Sequence, residues 1–246
     1  MKRRELLRTS TALGVTGAVG AFAGTAAAAP AGAAERADPG ERGGPLRVQV
    51  VMFDGVEELD FAAPYEVFAA ARFFTARPVE VRYVSATRTP GITGAYGTAV
   101  GGIGRWAPGE ADILVVPGGG YGRPDSPGVR AEIERGTLPR ALAAAARPGL
   151  TIGAVCTGAL LCSAAGLTRN RPCTTHHRAR ADLERQGGVL KNARVVDDGD
   201  LVTAGGITSG LELGLWLVRR ELGPEAALGV EAMMEYEARG TVWTRS

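Results

Sequence analysis

Among the side chains of this 246-residue sequence that could form or break bonds, Cys156 has the most informative neighbours. It lies within Thr-Ile-Gly-Ala-Val-Cys-Thr-Gly-Ala-Leu-Leu, residues 151–161. The β-branched Thr151, Ile152 and Val155 predict a short buried strand, and the Ala/Leu run after Gly158 predicts a helix, which places the cysteine in the turn between them. A side chain in such a turn is pushed outward, and the small Gly153, Ala154, Gly158 and Ala159 let backbone and substrate approach closely. The pattern is a nucleophile elbow carrying sulfur in place of oxygen. A helix N-terminus favours an anion, so the thiol is expected to titrate below its free value of about 8.5. The alternative is a structural cysteine, because free cysteines are often buried.

Other groups that could serve this cysteine lie elsewhere in the chain. Glu57, Glu58 and Asp60 follow the first expected strand, at the end where open α/β sheets keep their ligands. Asp60 is either an acid for catalysis or a carboxylate stabilised by a helix N-terminus. Gly118-Gly119-Gly120 follows another strand and could turn its N–H groups toward a ligand, the alternative being a mobile turn. Thr157 reads either as a donor to developing charge or as a helix cap, and Thr203, Thr208 and Ser209 read first as caps. The histidines, His176 and His177, are adjacent. On a strand they would face opposite ways, so at most one enters the site. No metal is expected, since further ligands at suitable spacing are missing from the sequence.

The elements that must hold these groups alternate. Residues 46–53 read as a central parallel strand and residues 57–68 as a helix, with Pro64 near its first turn and Leu59, Val67 and Phe68 facing inward. A strand over 79–85, a strand pair over 91–104, a strand over 112–117 and a helix over 129–146 follow. Beyond the elbow come a short strand over 172–177, a helix of Arg and Glu, and a hairpin turning at Asp198-Gly199. Residues 205–210 then open a long helix through Arg220. Such alternation predicts an α/β flavodoxin-like sandwich whose central sheet is mostly parallel and covered on both faces.

Length suits one such domain, and an apolar fraction of 45% with 22% charged residues is that of a soluble globular protein. A net charge of +2, with Lys2, Arg3, Arg4 and Arg8 crowded at the start, leaves no basic stripe for nucleic acid. Those residues begin a twin-arginine-type signal peptide over 1–34, followed by a disordered spacer over 35–45 and the α/β domain over 46–246. The apolar run of the leader is too rich in Gly and Ala to persist as a membrane anchor, so export to the cell envelope or beyond is expected. Three cysteines give no even disulfide framework. Cys156 and Cys162 would lie on different helix faces, whereas a Cys162–Cys173 bridge stays open.

Four ordered motifs together resemble the ThiJ/PfpI superfamily, with its class I glutamine amidotransferase-like fold. They are Pro-Gly-Gly at 117–119, Ala-Val-Cys-Thr-Gly-Ala at 154–159, Thr-Thr-His at 174–176 and Thr-Ala-Gly-Gly-Ile-Thr-Ser-Gly at 203–210. Within it, Glu-Leu-Asp-Phe-Ala-Ala-Pro-Tyr-Glu-Val-Phe at 58–68 is similar to the first-helix signature of isonitrile hydratase and its relatives. The resemblance implies that Asp60 faces Cys156, that Thr157 assists, and that water is added to an isonitrile to give an N-substituted formamide through a thioimidate on the cysteine. Gly119, with Gly118 and His176 beside it, would complete the donors and the wall of a small-molecule site. No cofactor is implied, and a homodimer is. His177 departs from the tryptophan usual there. Peptidase-like members place histidine directly after the cysteine, where this chain has Thr157, and no late His-x-Glu of the amidotransferases follows Thr203. A glyoxalase or deglycase acting on α-oxoaldehydes, a non-catalytic sensor and a redox sensor are the alternatives.

Overall fold

A computed structural model describes residues 44–87 and 89–245, so the leader expected over 1–34 and most of the spacer expected over 35–45 lie outside the described residues. The chain opens with β1 (Leu46–Val51), whose inner residues are buried on both faces, and crosses over through α1 (Glu58–Ala71) to β2 (Val79–Ser85). Next, β3 (Gly91–Thr93) and β4 (Ala99–Gly101) form the antiparallel excursion expected from the sequence, and β5 (Gly104–Arg105) joins the edge of the main sheet. The uninterrupted apolar run of β6 (Ile113–Val116) makes it a central strand, buried throughout.

Where one helix is expected over 129–146, there are two, α2 (Val129–Arg135) and α3 (Thr137–Ala145). Gly136 separates them at φ +71°, a left-handed conformation that ends one helix and re-aims the next. The following unit is β7 (Thr151–Ala154) and α4 (Gly158–Ala164), then β8 (Pro172–Cys173), α5 (Arg180–Arg185) and β9 (Val189–Leu190). The strand expected over 172–177 ends at Cys173, because the Thr174 N–H turns to Thr203 Oγ1 at 2.8 Å instead of continuing a ladder. The hairpin of β10 (Val195–Asp197) and β11 (Leu201–Ala204) forms as expected, and α6 (Ser209–Leu222), α7 (Pro224–Met233) and β12 (Val242–Thr244) complete the chain.

Eight strands form one sheet in the order β12-β10-β11-β7-β6-β1-β2-β5, parallel except between β10 and β11. Helices α1, α6 and α7 pack together, as do α2, α3 and α4, with α5 against α4. The fold is therefore α/β with a mostly parallel central sheet. No described helix is long and apolar enough to cross a membrane.

The seat of α1 matters most for the site. Gly210 and Gly214, one turn apart on α6, let the two helices approach; a Cβ at Gly214 would stand 2.9 Å from the Val67 side chain. Val67 and Phe68 are buried as expected, but Leu59 is 46% exposed. Pro64 falls in the second turn rather than the first, where its missing N–H deprives the Asp60 carbonyl of its helical donor.

Candidate functional site

The carboxyl ends of β1, β6, β7 and β11 converge, and the loops leaving them build one site. Val155 continues the line of β7, its N–H donating to the Val116 carbonyl at 3.0 Å. At Cys156 the backbone turns to φ +56°, a region that non-glycine residues rarely occupy. Two bonds over-determine this turn. The Cys156 N–H donates to the Gly205 carbonyl at 2.8 Å, and Thr175 Oγ1 donates to the Cys156 carbonyl at 2.7 Å. Gly158 then opens α4 where any side chain would collide with the Val116 and Pro117 carbonyls. The sequence reading of a strand, a sharp turn and a helix with cysteine at the corner thus matches the backbone.

Two carboxyl groups lie in line behind the sulfur, Asp60 beside it and Glu57 next. Asp60 is fully buried, and its Oδ2 accepts the Gly118 N–H at 2.8 Å. Glu57 caps α1, its Oε2 accepting the Asp60 N–H at 3.0 Å, while the Glu57 N–H donates to the Gly118 carbonyl at 2.9 Å. Burial, and next the neighbouring Glu57 charge, hold the Asp60 carboxyl well above its ordinary range, against the opposing Gly118 N–H and the Cys156 thiol. Burial also raises Glu57. Burial thus favours the neutral form of Asp60, which lies between the thiol and a second carboxyl.

The expected lowering of the Cys156 pKa is overturned. Burial, followed by the Asp60 charge, pushes the thiol up to about 12, and the N–H groups of Ile207 and Thr157 only partly oppose it. A helix of seven residues presents little dipole, and a sulfur on a residue only 5% exposed loses more from desolvation than that dipole returns. The resting cysteine is a thiol. Ile207 was not anticipated. It is held at φ +43° in the loop after β11, and the signal available in the sequence was its place in the Gly-Gly-Ile-Thr-Ser-Gly segment.

The glycines act differently from expectation. Gly118 does not line the cavity above Cys156; it holds Asp60. Gly119 does line it, but its N–H donates to Thr157 Oγ1 at 3.1 Å and is not free for a ligand. The donors aimed at the sulfur are those of Thr157 and Ile207. Thr157 therefore has two functions, its hydroxyl fastening the glycine loop and its N–H facing the sulfur.

His176 is in a loop, not on a strand. Its Nδ1 accepts the Arg178 N–H at 3.3 Å, and its ring lies 4.3 Å from that of His177 at 33°. Burial, then the nearby His177 and Arg178 charges, lower its pKa. His176 lines the cavity with Cys156 and His177 does not, so one histidine enters, as expected, although the loop rather than strand alternation decides which. Among the described residues no hydrogen bond joins His176 to Cys156. Thr203 Oγ1 is taken by the Thr174 N–H, and Thr208 occupies the N-cap position of α6 with its hydroxyl accepting from Arg194 rather than from the helix. Cys156, Cys162 and Cys173 are all free.

The cavity over the sulfur measures about 980 Å³. Glu57, Gly119, Thr157 and Ile207 form its inner end, while Tyr121, Arg123, Arg130 and Arg178 also line it. Among the described residues no group of three His, Cys, Asp or Glu side chains gathers as a metal site would require. The arrangement can place a small electrophile on the sulfur, supply one proton from a buried acid, and keep that proton mobile through a second carboxyl.

Residues 46–220 match the DJ-1/PfpI family. The chain is 31% identical over 191 residues to an isonitrile hydratase from Pseudomonas putida, covering 78% of each sequence. Its fold is similar to that of a ThiJ/PfpI family protein from Pseudomonas syringae, with a TM-score of 0.68 and 24% identity over 84% of this chain and 83% of that one. It is similar too to Schizosaccharomyces pombe DJ-1, with a TM-score of 0.63 and 22% identity over 78% of this chain and all of that one.

Proposed function

Because this chain belongs to the DJ-1/PfpI family, and because a buried Asp60, its pKa raised by burial, lies beside the Cys156 thiol, we propose that it is a cysteine-dependent hydratase that adds water to an isonitrile. The similarity to isonitrile hydratase supports this reading at the level of sequence, and the Asp60–Cys156 pairing carries it at the level of chemistry.

An isonitrile carbon accepts both a nucleophile and a proton, so the reaction needs an acid beside the sulfur. Sulfur bonds to the terminal carbon as Asp60 gives that carbon its proton, and the thiol proton passes to the carboxyl pair, which regains the proton it lost. The product is the thioimidate R–N=CH–S–Cys156. Water then bonds to the same carbon, one of its protons going to nitrogen by way of Glu57 and Asp60. The carbon–sulfur bond breaks as the remaining hydroxyl proton returns to sulfur. Formamide R–NH–CHO leaves and the thiol is restored. The N–H groups of Thr157 and Ile207 stabilise charge on sulfur while it is unprotonated, and one such donor is worth about 3 kcal/mol.

The glyoxalase reading would use the same cysteine and acid and would be favoured by a hydrogen bond from His176 to the thiol, and the His176 ring makes no such bond among the described residues. Turnover of an alkyl isonitrile beside methylglyoxal, with Cys156→Ala and Asp60→Asn as controls, tests the assignment. Formamide that disappears in both variants is the expected result. Methylglyoxal turnover alone would move the assignment to the glyoxalase class.

A further inference from the structure

The cavity is far larger than an isonitrile carbon requires, and its volume of about 980 Å³ has room for a second functional group on the same molecule. Its charges bear on what that group is. Among the described residues three acids line it, and each is engaged. Asp54 accepts the Thr93 N–H at 2.9 Å, Glu57 accepts the Asp60 N–H, and Asp182 accepts from Tyr121 Oη at 2.7 Å while pairing with Arg185. Three guanidinium groups among the described residues line it too, and they have charge to spare. Among the described residues, the side chains of Arg123 and Arg178 make no hydrogen bond or ion pair. Arg130 uses only its Nε, which donates to the Tyr121 carbonyl at 3.2 Å, and its guanidinium lies 5.5 Å from the Tyr121 ring centre.

The Arg130 position is built rather than accidental. Tyr121 is tied to Asp182 on α5, Arg130 is tied to Tyr121 from α2, and Arg178 leads into α5, so two helices and the glycine loop converge on one cationic wall. A guanidinium with free Nη donors takes a carboxylate by two parallel charge-assisted bonds.

We propose that this cavity selects small electrophiles that carry a carboxylate, with the reacting carbon on Cys156 and the carboxylate on Arg178 and Arg130. The proposal rests on the reading of Cys156 as the nucleophile and names the substrate class for it. The natural substrate is then an acid that carries its electrophilic carbon and its carboxylate on one molecule, and the released formamide is an N-formyl amino acid.

Steady-state turnover of 3-isocyanopropanoate, its methyl ester and an uncharged isonitrile of equal length tests this. The acid is expected to exceed the ester in kcat/KM by about tenfold or more, mainly through KM. Arg178→Ala and Arg130→Ala should each cut that acid-to-ester preference by about tenfold. Because Arg178 is exposed, its variant is informative even if loss of Arg130 disturbs the Tyr121 loop. An acid no better than its ester, or a preference that survives both substitutions, overturns the proposal. Calorimetric binding of N-formyl-β-alanine and its methyl ester to Cys156→Ala separates this inference from the hydratase reading. Binding of the acid that Arg178→Ala weakens, without isonitrile turnover, would keep the anion site and refute the hydratase. Equal binding of acid and ester would refute the anion site whatever the enzyme turns over.

Discussion

Gly119 donates its N–H to Thr157 Oγ1 across 3.1 Å, and this one bond fastens the loop after β6 to the turn after β7. Thr157→Val keeps the shape and removes the acceptor, leaving a buried N–H unpaired at a cost of about 1 to 3 kcal/mol. Thermal denaturation should show the loss in Thr157→Val and most of it recovered in Thr157→Ser. Equal stability of the two variants would mean that the hydroxyl carries no structural load.

Gly118 is confined more tightly still. A Cβ there would lie 2.5 Å from Thr157 Oγ1, 2.6 Å from Thr157 N and 2.9 Å from Asp60 Oδ2. Gly118→Ala should cost about 1 to 3 kcal/mol and abolish turnover by displacing the acid from the thiol. Gly122→Ala, in the same loop but with nothing within 4 Å of the added carbon, should change stability by less than about 0.5 kcal/mol. Denaturant midpoints of the two variants give the comparison.

Asp60 makes stability fall as pH rises. Its folded pKa is raised above the ordinary 3.8, so between that value and the raised one the native protein holds more protons than the unfolded chain. The contribution is complete below 3.8 and is lost as pH climbs toward the folded value, with a slope of at most about 1.4 kcal/mol per pH unit for this one group. Glu57, also raised, adds in the same direction. Asp60→Asn should flatten the slope and be more stable than the parent at neutral pH. Urea titrations from pH 4 to pH 8 measure both, and parallel slopes for the two proteins would contradict the burial account.

A thiol pushed up to about 12 holds roughly a thousandth of the thiolate that an unperturbed cysteine holds at neutral pH. Carbamidomethylation of Cys156 by iodoacetamide, followed by peptide mass, should therefore be slow at pH 7. Asp60→Asn should leave it slow, because burial, the largest influence on the thiol, is unchanged. Rapid labelling of the parent at pH 7 would show that the Ile207 and Thr157 N–H groups outweigh burial.

The backbone course of the site was legible in the sequence because local rules govern it. β-Branched residues at Thr151, Ile152 and Val155, the forced turn at Cys156 and the small Gly158 determine strand, corner and helix with little help from elsewhere. The place of Asp60 beside Cys156 was legible through the resemblance of its segment to a first-helix signature. What stayed hidden depended on groups remote in sequence. The Gly119 N–H reads as free until Thr157, 38 residues later, arrives to accept it. The thiol reads as acidic until α1 buries Asp60 beside it, and that depends on Gly210 and Gly214 of α6. His176 reads as a strand residue until Thr203 takes the Thr174 N–H. The break of the helix at Gly136, an αL residue of the kind glycine adopts freely, was a local feature misread, as were the inward face given to Leu59 and the first turn given to Pro64.

Cys156 at φ +56° and Ile207 at φ +43° meet where the sulfur is held, each in a backbone conformation that costs a non-glycine residue about 1 to 2 kcal/mol. Heat tolerance and turnover therefore pull this molecule in opposite directions. A laboratory lineage selected for survival at high temperature alone should accumulate glycine or asparagine at position 207, gaining melting temperature while the amide that faces the thiol wanders. One selected for catalysis should keep isoleucine and place its compensating changes far from the loop, on the outer helices, where added stability does not loosen the grip on sulfur.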